Sequence, residues 1–177
     1  MKIILVRHGE RTYDKEDDEL TNNGKEQVKH LANRLKYENI KCIYTNNLTR
    51  SKQTASILAE ILGTTIIYSP ILNELDIDIF FEDNIDIENT LKDLNVKLDN
   101  FIEDIRMRND NIILAANAGI NRAIIGKLLD IPIKKTITFN QNYAAVTELE
   151  YVNKYGINFW RLNLLNCKRH LPATIMS

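Results

Sequence analysis

The chain has 177 residues, 44% of them hydrophobic, which is enough apolar material for one sizeable core. Its 23 Lys and Arg against 24 Asp and Glu leave a formal charge of -1, which argues against a duplex nucleic-acid partner, since neutralising several phosphates needs a concentrated excess of cations. Only Cys42 and Cys167 are present, so no disulfide framework and no paired-cysteine metal or redox site can be drawn, and no stretch reaches the roughly 18 apolar residues of a membrane span. These features predict a cytoplasmic chain with reduced thiols, organised as a single domain over residues 1–177.

Ile3-Ile4-Leu5-Val6 is a continuous aliphatic run without alternation, as expected of a strand covered on both faces in the middle of a parallel sheet. From Thr21 to about Lys36, Val28, Leu31, Ala32 and Leu35 recur at helical spacing behind Thr21, a good N-cap. Cys42-Ile43-Tyr44 reads as a short strand, and Leu48, Ala55, Leu58, Ala59 and Leu62 mark a second helix that Gly63 ends. Thr65 to Tyr68 repeats the strand pattern before Pro70. The order β-α-β-α-β predicts an α/β three-layer sandwich around a mostly parallel central sheet. Glu74 to Asp86 is acidic and irregular and Ile87 to about Met107 reads as a helix, so that residues 74–108 make a short cap. Ile112 to Ala116 is a further buried strand, followed at Asn117-Ala118-Gly119 by a helix through Ala123, Ile124, Leu128 and Leu129. Ala144 to Tyr151 and Ile157 to Leu165, joined through Asn153 to Gly156, predict a C-terminal antiparallel hairpin.

In open α/β sheets ligands bind beyond the carboxyl ends of the strands, which directs attention to Arg7-His8-Gly9-Glu10. A guanidinium offers phosphate a fork of donors, a neutral imidazole can attack phosphorus, and glycine lets backbone approach an anion closely. The same tetrapeptide also fits a surface turn. Arg50 falls in the first turn of a helix that follows a strand, where free N–H groups and the helix dipole favour an anion. Alone, such an arginine is more often a solvated or salt-bridged surface residue.

Taken together, the motifs resemble the histidine phosphatase superfamily, with its phosphoglycerate mutase-like fold, over nearly the whole chain. They are Arg7-His8-Gly9-Glu10; Leu20-Thr21 with Gly24 and Gln27; Leu48-Thr49-Arg50 with Gln53-Thr54-Ala55; Leu72-Asn73-Glu74; and Leu164-Leu165-Asn166 with His170-Leu171. The resemblance implies a metal-independent phosphomonoester hydrolase without cofactor, acting on a small phosphorylated metabolite or a phosphoprotein. By it His8 is the nucleophile that becomes phosphohistidine, Arg7 and Arg50 hold the phosphoryl oxygens, and Glu74 is the general acid and base.

Three departures from the family pattern stand out. The family usually has a second histidine where aligning on Arg122 places Asn117, which can donate a neutral hydrogen bond to phosphate but carries no charge. Slow turnover is therefore expected, and a pseudophosphatase that binds a phosphorylated ligand is the alternative; a mutase is disfavoured by the short cap. His170 is a candidate to restore the lost charge. Secondly, Arg11-Thr12-Tyr13-Asp14 replaces a phosphate-holding loop, with Arg11 either an extra cation at the rim or paired with Asp14, Glu16 or Asp17. Thirdly, Asp76 to Glu82 lacks the glycines the family often has there, and the acids Asp76, Asp78, Glu82 and Asp83 are expected to disfavour bisphosphates, unless they form a solvated loop without a part in selection.

Overall fold

A computed structural model of the chain describes residues 1–13 and 18–176. In chain order the elements are β1 (Lys2–Arg7), α1 (Asn22–Leu35), β2 (Ile40–Thr45), α2 (Thr49–Leu62), β3 (Thr65–Tyr68), α3 (Ile85–Arg108), β4 (Asn111–Ala116), α4 (Ala118–Leu128), β5 (Val146–Lys154) and β6 (Ile157–Cys167). One sheet contains the strands in the order β3-β2-β4-β1-β5-β6. The first four run parallel, and β5 is antiparallel to both of its neighbours. The chain is thus an α/β protein with a mostly parallel sheet and a C-terminal antiparallel hairpin.

The unbroken aliphatic run of β1 follows from its position between β4 and β5, with helices over both faces. Ile3 and Leu5 pack with Leu98 of α3 and with Ile120 and Ile124 of α4, while Ile4 and Val6 pack with Val28 and Leu31 of α1 and Leu58 of α2. All four β1 side chains are fully buried, each worth roughly 1.5–3 kcal/mol of transfer from water. Two opposed apolar clusters thereby hold the sheet between its helices, and the strand order sets the carboxyl ends of β2, β4 and β1 side by side.

Local signals explain the helix ends. Thr21 caps α1 by accepting from the Gly24 amide, and Gly63 ends α2 at a φ of 65°, a left-handed conformation that glycine adopts without steric cost. The hairpin turn is narrower than the sequence suggests, with Tyr155 and Gly156 at φ of 55° and 77° and the strands running on to Lys154 and Cys167. A 3-10 segment at Ile133–Thr138, for which no expectation existed, packs on α4, where any side chain at Gly126 would meet the Ile131 carbonyl at 2.8 Å. The long α3 buries only Leu94, Leu98 and Ile105, so most of this helix is wet. Among the described residues no helix is long and apolar enough to cross a membrane.

Candidate active site

Three adjacent strand ends deliver the site. The peptide after β1 stays paired to β4, with the His8 amide donating to the Ala116 carbonyl at 3.1 Å, so His8 and Asn117 leave the sheet as neighbours. Asn46 follows β2 and lies 2.9 Å from Asn117, its Nδ2 donating to the Asn117 Oδ1 and, at 2.7 Å, to the Leu72 carbonyl. Leu72 leads in turn to Glu74, whose carboxylate accepts from Arg50 Nη2 at 2.6 Å. Residues far apart in sequence, His8, Arg50, Glu74 and Asn117, are thus joined through a few short links.

His8 is 2% exposed. Its Nδ1 lies 2.8 Å from the Gly9 carbonyl, which can only accept, so the proton sits on Nδ1 and the lone pair on Nε2. Burial pushes the imidazole pKa down to about 3, assisted by the charges of Arg7, Arg50 and Arg11. The ring is neutral, and the tautomer leaves Nε2 as a nucleophile.

Arg7 and Arg50 frame this imidazole. Arg7 donates through Nη1 to the Gln141 carbonyl at 2.8 Å and lies 4.0 Å over the Tyr143 ring. Its Nε, together with Nε and Nη1 of the buried Arg50, has no hydrogen-bond partner among the described residues. Buried guanidinium donors left unpaired are costly, and an anion is the group that would satisfy them. Arg50 lies in the first turn of α2, which has no side-chain cap, and Asn117 holds the N-cap position of α4 without capping it, although Asn is a favoured capping residue. Asn117 engages Asn46 instead, and the two uncapped helix starts add positive potential at the same place.

The motif residues around this centre are struts. Thr54 Oγ1 accepts from the Gly9 amide at 3.2 Å and donates to the Arg50 carbonyl at 2.8 Å, tying the loop after β1 to α2. Gln27 Oε1 accepts from the Glu10 amide at 2.8 Å, and Gln53 Oε1 from the Leu20 amide at 2.7 Å. Gly9 has a different use from the one expected. Its amide is bonded to Thr54, and a Cβ here would lie 2.5 Å from the Gly24 carbonyl, so the glycine admits α1 rather than an anion.

His170 does not restore the missing charge. Its Nε2 donates to the Ala144 carbonyl at 3.0 Å and its Nδ1 accepts from Arg34 at 3.1 Å, so both nitrogens are engaged behind the site. Burial and the Arg34 charge push its pKa down to about 4. It acts on the site at one remove, since the Ala144 amide donates to the Arg7 and His8 carbonyls at 3.0 and 3.3 Å. Arg11 forms an ion pair with the buried Asp18 and lies 4.4 Å over the Tyr13 ring, which compensates its charge. The other proposed partners of Arg11, Asp14, Glu16 and Asp17, lie outside the described residues. The acidic loop is partly committed to structure: Asp76 accepts from the Asp78 amide, Glu82 from Asn84, and Asp83 pairs with Lys134.

Sequence reasoning missed two residues here. Asn46 carried a weak signal, an Asn two places before the N-cap position of a helix, and its Oδ1 indeed accepts from the Leu48 amide at 3.1 Å. Tyr143 carried none, although its ring lies 5.5 Å from that of His8 and its hydroxyl meets that of Tyr13.

Because His8 and His170 stay neutral when folded but take up protons in the unfolded chain below the usual 6.5, the unfolded state binds more protons in acid. Stability is therefore expected to fall as pH drops from 6.5 toward about 3 for His8 and about 4 for His170. The His8 share has a slope of up to ~1.4 kcal/mol per pH unit. Urea midpoints measured across this range check it: His8→Ala should flatten the acid slope, and an unchanged slope would show that His8 titrates normally.

The sequence profile of the histidine phosphatase superfamily (branch 1) matches residues 3–82 and 80–167, and the chain belongs to that family. A relative from Photorhabdus laumondii, named "Probable phosphoglycerate mutase GpmB", is 38% identical over 93 residues, or 49% of this chain and 43% of the relative. The matched stretch therefore spans less than half the length of that curated relative. Among solved structures, the alpha-ribazole phosphatase from Shigella flexneri superposes with a TM-score of 0.74 at 20% identity, covering 95% of this chain and 97% of that one. The phosphoserine phosphatase of Entamoeba histolytica, solved with 3-phosphoglyceric acid, gives a TM-score of 0.74 at 20% identity, covering 97% and 99%. These two likenesses define the fold.

Proposed function

We propose that the chain is a metal-independent phosphomonoester hydrolase working through a phosphohistidine on His8. The observation that carries this reading is the buried, neutral His8, its Nδ1–H held by the Gly9 carbonyl, flanked by two arginines with unpartnered donors. Nε2 attacks phosphorus, the N–P bond forms as the ester P–O bond breaks, and Glu74 gives its proton to the departing alcohol oxygen. A water then attacks the phosphoryl group, returning a proton to Glu74, and the N–P bond breaks to free inorganic phosphate and neutral His8. Arg7, Arg50 and the Asn117 amide would hold the phosphoryl oxygens throughout. Residues 74–108 form a short cap on a single domain, and the substrate is a small phosphorylated metabolite or a phosphoprotein.

A second reading, a pseudophosphatase that binds a phosphorylated ligand without turnover, is favoured by one observation: Asn117 stands in the histidine position and already accepts from Asn46. Rapid quenching after mixing with a labelled aryl phosphate separates the two. A hydrolase yields acid-labile, alkali-stable phosphate on His8 that chases to inorganic phosphate. A pseudophosphatase yields saturable binding and no covalent label, and label at another residue would overturn the role of His8.

A further inference from the structure

Glu74 belongs to two places at once. Its carboxylate accepts from Arg50 at the phosphate site, and it also lines a cavity of about 540 Å³ between the segment Ser69–Leu75 and α3. A carboxyl group that protonates a departing oxygen must lie within hydrogen-bond reach of it, so the alcohol half of the substrate begins at Glu74. The Tyr143 ring packs against His8 and Arg7 and is joined through its hydroxyl to Tyr13, and none of these residues lines the cavity beside Glu74. Glu74 is the residue that the phosphate site and this cavity share.

Its chemistry is specific. The floor is Ile71, Leu75, Leu94 and Phe101, and α3 contributes to it because Leu94, Lys97 and Phe101 recur on one helix face. The single lining cation, Lys97, is paired with Asp93 at 2.6 Å, Glu74 is paired with Arg50, and Asp104 adds negative charge. Ser69, Asn73, Thr90 and Asn100 add neutral polar groups along the wall, and among the described residues no cation besides the paired Lys97 lines it to hold a second phosphate or a carboxylate. The volume lies within the roughly 300–1,000 Å³ of small-molecule sites.

We propose that this groove is the leaving-group subsite and that the substrates are monophosphate esters of a bulky, largely apolar, uncharged alcohol. The proposal rests on the hydrolase reading above and adds to it the class of alcohol. The groove binds the alcohol by burying apolar surface, and Asp104, beside a lysine already paired with Asp93, disfavours a second anionic group.

The test compares ethyl phosphate with 2-cyclohexylethyl phosphate, two esters whose alcohols are of similar acidity and differ in apolar bulk, and with a hexose bisphosphate. Asn100→Trp and Thr90→Trp place an indole in the groove from exposed positions of α3, away from the core. The bulky ester should be preferred by the unmodified chain, mostly through KM, and either tryptophan should cut the ratio of its kcat/KM to that of ethyl phosphate about tenfold. An unchanged ratio in both variants, or a preference for the bisphosphate, overturns the proposal. Failure of both esters to turn over would reject the hydrolase reading instead, and calorimetric binding of the bulky ester then decides on the groove. Weakened binding in the tryptophan variants supports the subsite, and equal binding removes it.

Discussion

His8→Ala is expected to lower kcat for an aryl phosphate by about 10⁴-fold or more while leaving KM within a small factor. The size of the loss follows from what else is available. His170 has both ring nitrogens engaged, by Ala144 at 3.0 Å and Arg34 at 3.1 Å, and the Cys167 thiol accepts from the same Arg34 at 3.2 Å. His170 cannot turn to the phosphorus without giving up its bond to the Ala144 carbonyl, nor Cys167 without giving up its bond from Arg34. On the proposed function, ground-state binding would rely on different groups, the unpartnered donors of Arg7 and Arg50, which the substitution does not touch. An interaction made only along the reaction path is therefore removed, and the split between kcat and KM is its signature. Steady-state kinetics on purified protein measure it; retention of a tenth of the rate, or a rise in KM that accounts for the whole loss, would place the nucleophile elsewhere.

The framework was legible in the sequence where burial is two-sided or a cap is explicit. Ile3 to Val6 could occupy only an interior strand because four consecutive aliphatic side chains need cover on both faces, and Thr21 and Gly63 carry helix ends in their own chemistry. The site was legible to the extent that Arg7, His8, Arg50, Glu74 and Asn117 fall at strand or helix ends, where the fold brings them together. What stayed hidden depends on contacts across the chain. No local pattern says that Gly9 must face the Gly24 carbonyl rather than a ligand, that His170 is held by Arg34, or that Tyr143 lies against His8. Asp18, one place beyond the expected partners of Arg11, is buried, and only the tertiary course of the loop decides between neighbours in a run of acids.

The opposite change in rate is expected from Asn117→His, a rise in kcat of about 10² to 10³. Asn46 Nδ2 uses its two hydrogens on the Leu72 carbonyl at 2.7 Å and Asn117 Oδ1 at 2.9 Å. An imidazole at position 117 can accept the second of these through one ring nitrogen, which fixes the tautomer and presents the other nitrogen as N–H toward the phosphoryl group. Beside Arg7, Arg50 and His8 such a ring is disfavoured as a cation until the anion arrives, whereupon the phosphoryl charge favours protonation. The added charge therefore acts more strongly as negative charge gathers on the transferring oxygens than in the free enzyme, and the gain belongs in kcat and grows toward mildly acid pH. Asn117→Gln, longer than Asn but neutral, should not reproduce it. If both variants leave kcat unchanged while binding of inorganic phosphate persists, charge at this position does not limit turnover, and the two arginines with the helix starts of α2 and α4 already neutralise the phosphoryl group.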